Sequence, residues 1–271
     1  MGNSKSKACI PRIEMGSKTG VINIANIGLT EKSSIWACEE LTKAKNKIKV
    51  FDISNNDIRV LPHIISTFSI MKSLNMNQSN ISNAFDISNL RCLVSLEMCG
   101  NNISNLSGYL FPTSLKKLKL TNNLLTELNN NFQNLTNLTD LNLSSNKLMS
   151  LVGIGCLVSL VELQLDDNKI SVIPPEIGQL KKLKTISIER NVLLEFKKNI
   201  EDSVLEYQSL PSELFVDTSL VSISLVGNSN LSKKGVMRLE GISVFLDRRK
   251  QSKDRNLNGG ALDDFTLFGL E

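Results

Sequence analysis

The first six residues, MGNSKS, form a candidate site of N-terminal acylation. Removal of Met1 would expose Gly2 as the acceptor of a myristoyl group, with Ser6 at the favoured offset. One myristoyl chain gives reversible membrane binding of about 10⁴ per molar, so stable residence needs a second signal. Cys9 is a weaker candidate for palmitoylation. Basic residues that could meet an anionic leaflet stand at Lys5, Lys7, Arg12 and Lys18. The alternative is a leader in which Gly2 and Ser6 coincide by chance.

Other residue types that support chemistry are too few or too scattered to predict catalysis. The single histidine, His63, lies in VLPHII without a nucleophile in a recognisable motif. The five cysteines include no CxxC pair, and no glycine-rich phosphate loop occurs. We therefore predict no catalytic, metal or cofactor site and no small-molecule substrate, so the protein is not expected to be an enzyme.

The charge of the chain and the composition of its N-terminus limit the compartment and the class of partner to be expected. The chain has 31 basic and 27 acidic residues, a net charge of +4, which is too even to predict a nucleic-acid surface. The N-terminus lacks the apolar run of a secretory signal. We expect a cytoplasmic protein with reduced thiols, attached peripherally to a membrane by its lipid.

A repeated motif organises most of the sequence. The 271 residues include 41 leucines and 30 asparagines, and the pattern LxxLxLxxNxL recurs from LKKLKLTNNLL at 115–125 to LVELQLDDNKI at 160–170. Nine copies align, and six consecutive intervals between their asparagine positions are 22 or 23 residues long. Such spacing predicts a leucine-rich-repeat solenoid.

Each part of the motif predicts an element of an α/β solenoid. Alternation in LxL gives each copy a short strand of a parallel sheet. The fold expected is a horseshoe with about nine strands on its concave side and short helices or turns on its convex side. The asparagines should turn inward and bond backbone groups as a ladder of Asn56, Asn101, Asn123, Asn146, Asn168, Asn191 and Asn228. Ser79 can supply part of this bonding, whereas Ile27 marks a capping copy.

Three segments follow from this pattern. We predict a flexible lipidated leader at 1–14, a solenoid with both caps at 15–247, and a polar, mobile tail at 248–271. The tail's Phe265, Leu267, Phe268 and Leu270 leave open a short docking peptide. The long interval at 197–217 is either a lengthened convex helix or a partner-binding loop.

The outward strand positions predict a protein-binding surface on the concave face. They are polar and segregated by charge, which can steer and orient a partner. The candidates are Asp52, Asn75, Glu97, Lys117, Lys119, Asn142, Glu162, Gln164, Asp166, Asp167 and Arg190. The alternative is a solvated sheet face without a partner.

The MGNS leader, KTGVINI at 18–24 and VGNSNLSKKGVMRLEG at 226–241 together resemble the leucine-rich repeat-containing protein 57 family over residues 1–250. The resemblance implies a myristoylated, membrane-associated interaction protein without known catalysis. We expect a non-catalytic scaffold or adaptor at a cytosolic membrane leaflet, with an unknown protein partner. The alternative is a regulatory subunit of a signalling enzyme, similar to the leucine-rich-repeat regulators of protein phosphatase 1.

Overall fold

The computed structural model describes residues 4–128, 130–194, 209–255 and 268–270. The chain divides into two compact units, unit 1 from Met1 to Leu125 and unit 2 from Thr126 to Glu271. Each strand has three residues and coincides with one copy of the repeat. None of the helices in these ranges is long and apolar enough to cross a membrane.

Unit 1 contains five parallel strands joined in sequence order. Their middle residues stand in register and are buried, as the LxL pattern predicts. In chain order its elements are α1 (Ser4–Thr19), β1 (Val21–Asn23), α2 (Glu31–Glu40), a 3₁₀ helix (Leu41–Ala44), β2 (Val50–Asp52), a 3₁₀ helix (His63–Thr67), β3 (Ser73–Asn75), β4 (Ser95–Glu97) and β5 (Lys117–Lys119).

Unit 2 has four parallel strands, again with one apolar middle residue per strand turned inward. A short helical turn precedes each strand on the opposite side of the coil. The elements are 3₁₀ helices at Asn130–Asn134, Ile154–Cys156 and Pro175–Gln179, strands β6 (Asp140–Asn142), β7 (Glu162–Gln164), β8 (Thr185–Ser187) and β9 (Ser222–Ser224), and helices α3 (Ser212–Val216), α4 (Lys233–Val236) and α5 (Ile242–Arg255).

The asparagines of the repeat lie inside the bends and bond backbone groups of neighbouring copies. Asn123 Nδ2 donates to the carbonyls of Met98 at 2.9 Å and Leu120 at 3.0 Å, and its Oδ1 accepts from the Ile103 amide at 3.1 Å. Seven such side chains, all less than a tenth exposed, line the coils: Asn56, Asn101, Asn123, Asn146, Asn168, Asn191 and Asn228. Their amides replace hydrogen bonds that the turning backbone cannot make to itself.

The residue before each ladder position turns the chain. It has a positive φ in every copy, which lets the backbone leave the strand and drop into the coil. The residues are Asn26, Asn55, Gln78, Gly100, Asn122, Ser145, Asp167, Arg190 and Gly227. Where serine replaces the ladder asparagine, Ser79 Oγ still donates to the Ile53 carbonyl at 3.2 Å, a part of the usual bonding.

The N-terminal segment differs from the flexible leader expected over residues 1–14. Helix α1 occupies most of it and packs on β1 and α2, with Cys9 and Ile13 buried. Gly16 allows the close approach, because a Cβ there would lie 2.2 Å from Ile22 Cδ1. The helix therefore covers the apolar side of the first coil, which a leader would leave in water.

The C-terminal segment also differs from a mobile tail starting at residue 248. Helix α5 continues to Arg255, and Arg248 donates to the carbonyls of Leu220 at 3.0 Å and Phe215 at 3.1 Å. Further on, Phe268 is buried, whereas Phe265 and Leu267 of the possible docking peptide lie outside the described residues. Of the insertion, α3 is part of the folded unit; residues 197–208 lie outside the described residues.

Candidate interaction surface

The unit 1 strand face consists of the outward first and third residues of β1 to β5. Two exposed valines on β1 and β2 begin it, and the rest is polar. Its members are Val21, Asn23, Val50, Asp52, Ser73, Asn75, Ser95, Glu97, Lys117 and Lys119. Five predicted partner-binding residues lie here: Asp52, Asn75, Glu97, Lys117 and Lys119.

Glu97 is the centre of a bonded cluster on this face. Lys119 Nζ lies 2.9 Å from its Oε1, and Asn77 Nδ2 donates to its Oε2 at 3.0 Å. Burial raises the pKa of Glu97, but the hydrogen bonds from Lys119 and Asn77 and the charge of Lys119 outweigh it, so the pKa lies below its usual range. The cluster fixes a carboxylate and an ammonium at one position of the face.

The unit 2 strand face consists of the outward residues of β6 to β9 and of the exit corner, which is the three residues that follow each strand. Asn142 donates to Gln164 across neighbouring strands. Its strand residues are Asp140, Asn142, Glu162, Gln164, Thr185, Ser187, Ser222 and Ser224. Three predicted residues, Asn142, Glu162 and Gln164, lie on these strands, and Asp166, Asp167 and Arg190 lie in the exit corner.

The exit corner of unit 2 is held by carboxylates that bond the next repeat. Asp166 Oδ1 accepts from Ser187 Oγ at 2.6 Å and from the Glu189 amide at 2.8 Å. Glu189 Oε1 in turn accepts from Ser224 Oγ at 2.5 Å. These bonds order the side chains, so the corner has little conformational entropy to lose on binding.

Arg190 is committed to this corner. Its guanidinium donates to both carboxylate oxygens of Asp167 and to Oε2 of Glu189. Among the residues of β6 to β9 and the three residues that follow each of these strands, Arg190 is the sole cation. The acidic residues of the same set outnumber it and leave the face negative: Asp140, Glu162, Asp166, Asp167 and Glu189. Such a face has electrostatic complementarity for a cationic partner.

The lipidation candidates have different outcomes. Gly2 lies outside the described residues. Cys9 lies in α1 with its thiol buried, and desolvation raises its pKa to about 11, although the charge of Arg12 lowers it. In this conformation the buried thiol is not presented to an acyl donor, and palmitoylation of Cys9 stays a prediction.

His63 lines a small cavity of about 200 Å³ in unit 1, together with Asp86 and Phe85. Asp86 is bonded by Ser88, whose Oγ donates at 2.7 Å and whose amide donates at 2.9 Å; these bonds, and then the charge of His63, lower the pKa of Asp86. Ser66 Oγ donates to the His63 carbonyl at 2.7 Å. The polar groups thus serve turn geometry here.

Two bonded residues that the sequence analysis did not single out are Asn77, which borders the unit 1 strand face, and Glu189, in the exit corner of unit 2. Both follow a strand by two residues and bond side chains of the adjacent repeat. The repeat spacing contains the signal, because partners such as Glu97 and Lys119 are separated by 22 positions. In the ranges the structure describes, no three histidine, cysteine, aspartate or glutamate residues form a metal-binding group.

Comparisons with known proteins agree with this geometry. Residues 91–148 and residues 159–180 each match a family described as leucine-rich repeat. Internalin C2 of Listeria monocytogenes is similar at 19% identity and a TM-score of 0.60, covering 81% of this chain and 92% of the internalin. A leucine-rich-repeat protein of Leptospira interrogans is similar at 19% identity and a TM-score of 0.60, covering 81% of this chain.

The chain is shorter than some of these proteins. It spans 57% of the Leptospira protein, and it spans 26% of TLR13, seen in a complex with a single-stranded RNA, at 23% identity, 66% coverage of this chain and a TM-score of 0.56. At such identities the likeness concerns the fold. The parallel strands, the inward asparagines and the family matches establish that this chain is a leucine-rich-repeat solenoid.

Proposed function

We propose that the protein is a non-catalytic scaffold or adaptor that binds a protein through its strand faces. Leucine-rich-repeat domains generally mediate protein–protein interactions, and proteins of this fold are typically non-enzymatic. The observation that carries the proposal is the ordered polar network of each face, from Glu97 and Lys119 in unit 1 to Asp166 and Glu189 in unit 2. A partner would meet side chains already fixed in position.

The test compares two exposed glutamates of unit 2. Glu162 lies on β7, whereas Glu176 lies in the 3₁₀ helix on the other side of the coil. Proteins cross-linked to the chain in cytosolic extract should be lost with Glu162→Lys and retained with Glu176→Lys. Equal cross-linking by both variants would assign binding to another surface.

We also propose that acylation of Gly2 holds the scaffold at a cytosolic membrane leaflet. The MGNSKS motif and the family resemblance support this, and α1 suggests the orientation. Arg12 donates to the Ala25 carbonyl at 2.8 Å and Gly16 approaches Val21, so α1 runs antiparallel to β1. The first residue of α1, Ser4, then lies about 12 Å beyond Arg12, at 1.5 Å per residue. It lies on the side of the coil where β1 ends. The membrane would approach unit 1 from that edge.

Acylation is tested on protein made in a eukaryotic cell. Its intact mass should show loss of Met1 and a gain of about 210 Da, the mass of the acyl group. Flotation with anionic vesicles should then be lost in Gly2→Ala, while cross-linking through Glu162 persists. An unmodified Gly2 would remove the anchor from the proposal and leave the scaffold intact.

The second candidate function is a regulatory subunit of a protein phosphatase or another signalling enzyme. The observation that favours it is the negative unit 2 strand face, on which Glu162 is exposed and Asp166 is half-buried. This reading requires a phosphatase catalytic subunit among the cross-linked proteins and a phosphatase rate that changes with added wild-type chain but not with Glu162→Lys.

A further inference from the structure

The last strand of unit 2 is bonded by the C-terminal segment as if by another repeat. In unit 2, the residue after a strand donates its amide to the third residue of the following strand, as Ile188 does to the Ser224 carbonyl at 2.9 Å. Leu225, which follows β9, donates in the same way to the Phe268 carbonyl at 3.0 Å. Phe268 thus stands where a strand residue of the next repeat would stand, which is the geometry of strand addition to a sheet edge.

The side chain of Phe268 fills an aromatic site. Its ring is 2% exposed and stacks on Phe245 of α5, with centroids 6.1 Å apart and an angle of 27°. Phe245 meets Phe215 of α3 edge-on at 6.0 Å. Phe268 therefore extends an aromatic cluster of unit 2 to which α5 and α3 each contribute one ring.

The position after this phenylalanine is restricted to glycine for two reasons. Gly269 has a φ of +67°, which side chains other than glycine rarely adopt. A Cβ on it would also lie 2.1 Å from Val226 Cγ2. A ligand of this site therefore needs a backbone carbonyl, an aromatic ring and a following glycine.

We propose that the end of unit 2 is a binding site for an extended peptide containing Phe-Gly, and that the chain's own residues 268–270 occupy it as an exchangeable internal ligand. Twelve residues, 256–267, join this ligand to α5. The described contact consists of one backbone bond and one buried ring, so a partner presenting Phe-Gly in extended form can compete for it. This site is separate from the strand faces and from Gly2.

The test uses the full-length chain with Phe268→Ala and a fluorescent peptide of residues 262–271. Fluorescence anisotropy should show saturable binding of the peptide to this variant. Binding to the wild-type chain should be weaker by at least roughly tenfold, because the tethered ligand competes at a high effective concentration. A peptide with alanine in place of its second phenylalanine, the equivalent of Phe268, should not bind, and Val244→Ala, an exposed neighbour on α5, should behave as wild type.

Several results would overturn the proposal. One is that the peptide shows no saturable binding to the Phe268→Ala chain. The others are that the peptide binds this variant and the wild type equally, or that the peptide and its alanine form bind the variant equally. Concentration-dependent dimers of the wild type, measured by sedimentation, would assign the ligand to a second copy instead. If Phe268→Ala does not fold by circular dichroism, Gly269→Val replaces it, since it keeps the ring but clashes with Val226. In that variant hydrogen exchange at the Leu225 amide should accelerate; unchanged exchange would also refute the internal ligand.

Discussion

Arg190 binds Asp167 of the preceding repeat in two-point geometry. Its Nε lies 2.7 Å from Asp167 Oδ1, and its second terminal nitrogen lies 2.9 Å from Oδ2. Both residues have positive φ and occupy the same position in successive repeats. The pair is therefore a product of the repeat itself, because the 23-residue spacing aligns the two corners. The pair therefore neutralises one cation and one carboxylate of the unit 2 strand face.

Replacing Arg190 by alanine is expected to raise the pKa of Asp167. The hydrogen bonds from Arg190 are the largest cause of its lowered pKa, ahead of opposing desolvation. Because the folded-state pKa is the lower one, the pair stabilises the fold above the unfolded pKa, and this is lost as pH falls through the folded pKa. Both side chains are largely exposed, so the effect on stability is small. Carboxyl ¹³C titration measures the shift directly.

Lys119→Ala is the control for that titration. It removes the partner of Glu97 in unit 1 and should raise the pKa of Glu97 while leaving that of Asp167 unchanged. An Asp167 titration that is the same in wild type and Arg190→Ala would show that the two-point pair does not form in solution.

Thiol labelling is expected to separate the cysteines by burial. Cys92 is exposed, whereas Cys9 and Cys38 are buried and desolvation raises the pKa of each, to about 11 for Cys9. Since the thiolate is the nucleophile, Cys9 and Cys38 should react with iodoacetamide at least roughly tenfold more slowly than Cys92. Peptide mass spectrometry after a labelling pulse gives the order, and labelling in urea should abolish the difference. Fast native labelling of Cys9 would contradict the packing of α1.

Asn123→Ala should cost about 2 kcal/mol of unfolding free energy. The change leaves the buried amide of Ile103 without its side-chain acceptor, and a buried group without a partner costs about 1–3 kcal/mol. It also removes one donor from the carbonyls of Met98 and Leu120, although the Met98 carbonyl keeps its bond from Asn101 Nδ2 at 3.0 Å. The matched control is Asn102→Ala, because Asn102 is exposed and directly follows the ladder residue of the preceding repeat. This change should alter the free energy of unfolding by less than about 0.5 kcal/mol. Urea unfolding measures both, and equal costs would refute the ladder.

The strands and the inward asparagines could be predicted because both follow from the repeat. A period of two fixes which side of a three-residue strand is buried, and a period of 22 or 23 stacks identical positions. The pairs on the faces were also within reach, since Lys119 and Glu97 are one repeat apart. Their geometry was not, because which rotamers meet depends on packing that a pattern does not specify.

The two ends escaped prediction for a different reason. The stripe that buries α1 consists of Cys9, Ile13 and Gly16, at helical spacing but too narrow and too polar to stand out beside the lysines. At the other end, Arg248 begins the segment predicted to be a mobile tail, yet it bonds the backbone carbonyls of Phe215 in α3 and of Leu220 before β9. Caps have no repeat to confirm them, so their residues must be judged singly.

Gly20→Ala should destabilise the chain more than Gly153→Ala, although both glycines have a positive φ, of 79° and 87°. The two substitutions share the cost of a left-handed alanine, about 1–2 kcal/mol, and the same restriction of the unfolded chain. They differ in space: a Cβ at Gly20 would lie 2.4 Å from the Lys47 carbonyl oxygen, whereas at Gly153 nothing lies within 4 Å.

The difference between the two changes in unfolding free energy therefore isolates the contact between Gly20, which follows α1, and the Lys47 carbonyl oxygen. A local measurement keeps the test sharp if unit 1 opens alone. The amides of Lys49 and Val50 donate to the Gly20 carbonyl at 2.8 and 3.2 Å, so their hydrogen exchange should accelerate in Gly20→Ala and stay unchanged in Gly153→Ala. Equal costs with unchanged exchange would mean that α1 does not close onto the sheet at this point, because a backbone carbonyl held 2.4 Å from a new Cβ has to move.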